Sequence, residues 1–249
     1  MLSVQSLSRQ FGGVSAVDAV SFEVQAGHVH AVIGPNGAGK TTLFNLISGL
    51  YEPSSGKVLF EKEDITGLPP EALARRGMCR TFQNLQVCMN MSAVENVMLG
   101  AHLHARTGML AGLFGMTRAA DKNLRARAVE LMEFVGVGSQ PDDRAAQLSF
   151  GVLKRLEIAR ALAANPRVLL LDEPAAGLND SETHAIGELI RKIAAEGTTV
   201  LLVEHDMKMV MSISDHIVVL DQGRKLAEGT ADEVRGNPDV VAAYLGVDA

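Results

Sequence analysis

The chain has 249 residues, 47% of them apolar and 21% charged, with a formal net charge of −6. That length buries one large core, with room for an inserted lobe, rather than two independent domains. The acidic balance argues against sequence-independent binding of nucleic acid, and the two cysteines, Cys79 and Cys88, form neither a disulfide framework nor a zinc spacing.

No apolar run approaches the ~18 to 20 residues needed to cross a bilayer. The N-terminus, MLSVQSLSRQF, lacks a basic stretch followed by an apolar one. A soluble, cytoplasmic chain is expected, with any membrane role exercised through partners.

Residues 1–33 alternate as strands do in LSVQSLS and VSFEV, then give HVHAVI, a run suited to a buried strand. That strand leads into Gly34-Pro35-Asn36-Gly37-Ala38-Gly39-Lys40-Thr41, which satisfies G-x-x-x-x-G-K-[ST], and then into the helix TLFNLISGL. Glycines let the backbone N–H groups of Gly34 to Gly39, including those of Asn36, Gly37 and Ala38, curl around phosphates. Lys40 reaches the β- and γ-phosphates, Thr41 offers its hydroxyl to Mg²⁺, and the helix points its positive end at the anion.

After the turn-rich YEPSSG, KVLFEKEDI reads as one further strand. Near Gln83 the chain becomes Met-rich and helical through about Ala164. Ser92 to Glu95 form a capping box, and Ala119 to Val135 have helical spacing with many arginines. Ser149-Phe150-Gly151 opens a long helix, and its hydroxyl and glycine N–H at a helix N-terminus suit a phosphate contact.

Beyond Pro166, strand and helix alternate again in RVLLLD, HAIGELIRKIAAE, TTVLLVEH, HIVVLD and GRKLAEG, with closing helices capped at Thr230 and begun at Asn237-Pro238. Asp172 ends an apolar strand, where a Mg²⁺-orienting carboxylate belongs, and Glu173 is placed to polarise an attacking water. Gln83, at the border of the helical lobe, and His205, at the end of the strand Thr199–Val203, lie within plausible reach of the same site. On spacing alone each also reads as an ordinary surface or core residue. Strands joined by crossover helices imply a parallel α/β core, interrupted by a helical lobe.

The ordered set GPNGAGKT, TFQN, LSFG, LLLDEP, AGLND and VEHD, spread over essentially the whole chain, resembles the ATP-binding subunit of an ABC transporter. The resemblance implies a P-loop NTPase (RecA-like) core with an N-terminal antiparallel β subdomain and an inserted α-helical lobe. The core would be 1–83 with 165–249 and the helical subdomain 84–164. It further implies a head-to-tail dimer with two ATP and Mg²⁺ at the interface. Phe11 would stack on adenine with Val17 beside it, and Thr42 would add a phosphate contact. Thr41, Gln83 and Asp172 would hold Mg²⁺, Glu173 would be the catalytic base and His205 would hold the γ-phosphate. Ser149 and Gly151 would contact the ATP on the opposite subunit.

A closer similarity is to the branched-chain amino-acid importer group. It rests on Phe150 where other members have glycine, RLEIARAL at Arg155–Leu162, EPAAGLN, the insertion around Ala101–Arg118 and the ending NPDVVAAYLG. The similarity implies a second ATPase subunit, two membrane permeases, indirectly a solute-binding protein, and a place at the cytoplasmic face of the inner membrane. Asn179 stands where most of the superfamily has Asp, and Val152 replaces a residue that is usually polar. Because this chain does not touch cargo, lipopolysaccharide, lipid or urea systems are the alternative. A soluble ABC ATPase of translation or repair is disfavoured, as neither a second cassette nor a long coiled coil is present. His102 and His104, the cluster Met89, Met91 and Met98, and the basic set Arg118, Lys122, Arg125 and Arg127 read as surface and packing features.

Overall fold

The structure is a computed structural model that describes residues 1–101, 117–138 and 141–245. Its contacts divide the chain into two compact units, Met1–Arg80 with Arg167–Ala249, and Thr81–Pro166.

The first unit holds two sheets. One is antiparallel, in the order β2-β1-β4-β5, formed by β1 (Leu2–Phe11), β2 (Val14–Val24), β4 (Ser55–Phe60) and β5 (Glu63–Asp64). In β1 the inward residues run Leu2, Val4 and then Leu7, a slip of one residue in the alternation. A bulge absorbs it: Val4 pairs with Phe22 but Leu7 with Val20, and Ser6 and Ala19 take left-handed φ values of 46° and 50°. The predicted single strand KVLFEKEDI is in fact a hairpin. Glu61 and Lys62, at φ 50° and 71°, make a two-residue turn, and Phe60 pairs with Glu63.

The other sheet runs β10-β9-β3-β8-β7-β6 and uses β3 (Val29–Ile33), β6 (Met78–Arg80), β7 (Val168–Asp172), β8 (Thr199–Val203), β9 (His216–Asp221) and β10 (Arg224–Gly229). All its pairings are parallel except β9 with β10. Every residue of β3, β7 and β8 is buried, which is why these strands read as unbroken apolar runs instead of alternating. Helix α1 (Lys40–Ile47) shares one apolar cluster with both sheets: Leu43, Phe44 and Ile47 belong to it together with Leu2, Phe22 and Phe60 of the antiparallel sheet and Leu170, Leu201 and Val218 of the other.

The second unit contains α3 (Ala93–Gly100), α4 (Thr117–Phe134) and α5 (Phe150–Ala163), which follow α2 (Pro70–Arg75) of the first. The Ser92–Glu95 capping box is formed in both directions. Buried Asn96 holds the Cys88 backbone at both ends, accepting from its N–H at 2.7 Å and donating to its carbonyl at 3.0 Å. Helices α3 and α5 touch closely at Gly100, where a Cβ would lie 1.9 Å from the Arg160 carbonyl oxygen. Residues 102–116, including His102 and His104, and the Arg118 side chain lie outside what is described. Among the described residues no helix is long and apolar enough to cross a membrane.

Candidate functional site

The phosphate loop follows β3 directly. Gly34 and Gly39 are both obligatory glycines, because backbone crowds the place of a side chain. A Cβ at Gly34 would lie 2.1 Å from the Leu220 carbonyl oxygen, and one at Gly39 would lie 2.4 Å from that of Ala16. Gly39 caps α1 with φ 96° and no side chain, and the first turn of α1 carries no acidic residue. The first turn of α1 therefore supplies no side-chain anion to its own positive end. Asn36, Gly37 and Thr41 are exposed, Thr42 is half-buried, and Ala38 is buried.

Lys40 is folded back into this loop. Its buried Nζ donates to the carbonyl oxygens of Gly34 at 2.6 Å and Pro35 at 2.9 Å. Burial pushes its pKa below the usual lysine range, and the nearby charge of Glu173 opposes that shift. Burial raises the pKa of Tyr244, from the last helix, to about 12.

At the adjacent strand ends, Asp172 accepts from Arg80 Nη2 at 2.6 Å, with both side chains almost fully buried. The same guanidinium donates to Asn45 Oδ1 at 2.8 Å and Ser48 Oγ at 2.6 Å, both on or next to α1. Arg80 thus ties the end of β7 to the phosphate-loop helix. Sequence reasoning missed it, because a lone arginine ending a short strand carries no periodic signal.

Glu173 follows in a left-handed conformation, φ 48°, which a non-glycine residue adopts only when its surroundings hold it there. Its N–H donates to the Val203 carbonyl at 2.9 Å. Its Oε1 lies 2.7 Å from Nε2 of His205. An ionised carboxylate only accepts, so Nε2 carries the proton in this pair. His205 is not in β8 itself, which ends at Val203; it stands in the turn before α7 (Met207–Ile213), whose first turn Asp206 caps by accepting from Met209 N–H at 2.9 Å.

Phe11 ends β1 and is 42% exposed. Tyr51 meets it edge-on at 5.6 Å, and the Arg9 guanidinium lies 4.8 Å from its ring centroid. Neither neighbour was anticipated. Val17 is fully buried in the core and presents no free face beside Phe11.

Gln83, Ser149 and Gly151 belong to the other unit. Gln83 is exposed. Ser149 is the N-cap of α5, yet its hydroxyl makes no capping hydrogen bond, and the first turn again lacks an acidic residue. Phe150 is 46% exposed and Val152 half-buried. Asn179 begins α6 (Asp180–Ala195) as half of a capping box: its Oδ1 accepts from Glu182 N–H at 3.0 Å, and Glu182 returns a bond to its N–H at 3.2 Å. Asn and Asp cap equally well, so the departure at this position is neutral for the helix.

Among known proteins, the family described as ABC transporter matches residues 17–176, and that of the branched-chain amino acid ATP-binding cassette transporter matches 224–249. The high-affinity branched-chain amino acid transport ATP-binding protein BraF of Pseudomonas aeruginosa is 47% identical over 249 residues, covering 99% of this chain and 98% of its own. LivG of Escherichia coli K12, which carries the same description, is 43% identical with the same coverage. The ADP conformation of MJ1267, an ATP-binding cassette of an ABC transporter, superposes with a TM-score of 0.86 at 34% identity over 99% of this chain and 98% of that one. The dimeric structure of MJ0796, a bacterial ABC transporter cassette, gives 0.79 at 27% identity over 93% and 99%.

Proposed function

The chain belongs to the ATP-binding family of ABC transporters, in its branched-chain amino acid group, and hydrolyses ATP; from that premise we propose that it energises uptake of branched-chain or related hydrophobic amino acids. Cargo is inferred from BraF and LivG, which are similar to this chain over nearly their whole length. The observation that carries the chemistry is the Glu173–His205 pair at 2.7 Å, next to a phosphate loop whose lysine is held by its own carbonyls.

Lys40 exchanges its two carbonyl partners for phosphate oxygens, joined by the loop N–H groups, the N-terminus of α1 and the Thr42 hydroxyl. Phe11 offers an aromatic face to adenine. Thr41 and Asp172 would hold Mg²⁺ through a hydroxyl and a carboxylate oxygen, donors that suit this cation, and Gln83 of the other unit offers an amide oxygen of the same kind. Bound there, the cation would neutralise charge on the β- and γ-phosphates. Glu173 takes the proton of the attacking water while the γ-phosphorus–oxygen bond to ADP breaks. His205 turns its Nε2–H from Glu173 to a γ-phosphate oxygen, which frees the carboxylate to act as base.

Ser149, Gly151 and the N-terminus of α5 form the matching half-site for the ATP of a second ATPase subunit. Dimer closure and reopening then drive two permeases served by a solute-binding protein, with this chain at the cytoplasmic face of the inner membrane.

In cells that lack the gene, the wild-type chain is expected to restore uptake of labelled leucine and Glu173→Gln is not. The purified variant should bind ATP, lose nearly all turnover and accumulate a nucleotide-sandwiched dimer. Undiminished hydrolysis by Glu173→Gln would refute the base, and uptake indifferent to the wild-type chain would refute the cargo.

A further inference from the structure

Strands β7 and β8 run parallel in register, Asp172 opposite Val203, and both chains leave the sheet at this level. One more ladder bond follows, from Glu173 N–H to the Val203 carbonyl. The next residue, Pro174, has no N–H to donate, so the backbone ladder stops where the two catalytic side chains begin.

Glu204 takes over from the ladder. Its side chain is only 4% exposed overall as a residue and reaches across the gap. Oε1 accepts the Ala175 N–H at 2.7 Å. Oε2 accepts the His205 N–H at 2.8 Å, with a longer contact from Asp206 N–H at 3.4 Å. A buried carboxylate is costly to desolvate, and backbone donors converging on both its oxygens offset that cost. Those donors belong to the two turns that carry Glu173 and His205.

We propose that Glu204 is a positioning residue for ATP hydrolysis, a carboxylate clamp that sets the separation of Glu173 and His205 by holding the Ala175 and His205 backbones together. Both its oxygens are engaged by backbone N–H groups and it acts through its two neighbours, so the proposal rests on Glu173 being the base and His205 the γ-phosphate contact. Glutamine is nearly isosteric but has one acceptor oxygen; its NH₂ would face a backbone N–H and open one side of the clamp. Misplacing reacting groups by about 1 Å costs on the order of 10²-fold in rate.

The test is Glu204→Gln in the full-length chain, with turnover expressed per nucleotide-binding site so that any unfolded fraction drops out. We expect kcat to fall about 10- to 100-fold, with KM for ATP changed less than about threefold. In a cycle with His205→Ala, the second substitution should add little to the first, because both remove the same arrangement. An unchanged kcat, a rise in KM alone, or losses that simply multiply would each overturn the clamp. Glu173→Gln, assayed alongside, separates the two ideas: if it is inactive while Glu204→Gln is normal, only the clamp fails, and if it is active, the base assignment fails.

Discussion

A buried ion pair stabilises through its geometry, and breaking it from one side leaves a charge in low dielectric with no partner. Arg80 and Asp172 meet at 2.6 Å, both almost wholly inaccessible. Arg80→Met should therefore cost about 3 to 5 kcal/mol in urea unfolding, more than the removal of an exposed pair such as Lys57–Asp64. A second residue behaves as a titration marker. His30 is fully buried on β3, its Nε2 accepts the Gln25 N–H at 3.0 Å, and its pKa is lowered to about 4, first by burial and then by His216 and His28, against the pull of Asp215. The unfolded chain takes up a proton at this position near pH 6.5, and the folded chain resists doing so until about pH 4. Stability should accordingly be full above pH 6.5 and fall as the pH drops through that window. The loss should reach about 3 kcal/mol, and unfolding measured against pH should show a shallower slope in His30→Gln.

At the scale of elements, strands and helices with a physical signature in the chain are where the sequence places them. β3, β7 and β8 are uninterrupted apolar runs, and the Ser92 and Thr230 boxes mark helix starts in the structure, whereas the Asn179 box starts its helix ahead of the pattern HAIGELIRKIAAE that announces it. Asn179→Ala should cost about 1 kcal/mol in thermal unfolding, whereas Asn179→Asp should stay within a few tenths. KVLFEKEDI was misread because Glu61 and Lys62 carry the left-handed turn without glycine or asparagine, so no turn residue announces it. The β1 bulge is hidden for a similar reason: a one-residue slip looks like imperfect alternation until the partner strand is known. Val152 is half-buried near the start of α5, and nothing in the structure explains why an apolar residue is used there.

At the scale of the whole molecule, the phosphate loop, Asp172, Glu173 and His205 lie 34 to 205 residues along the chain and come together because parallel strands end at one level of one sheet. The chain offers a phosphate loop in one unit and an uncapped helix start with Ser149 in the other, two half-sites that the family reading assigns to different nucleotides. The order and spacing of the motifs were legible without coordinates, since glycine, lysine, carboxylate and apolar-run requirements are local and each leaves its own mark on the chain. The links between them were not. Arg80 to Asp172, Tyr51 to Phe11 and Glu204 to the Ala175 backbone join residues far apart in sequence through single side chains. A single polar contact has no period and no propensity, so only the packing of distant strands and helices decides that it exists.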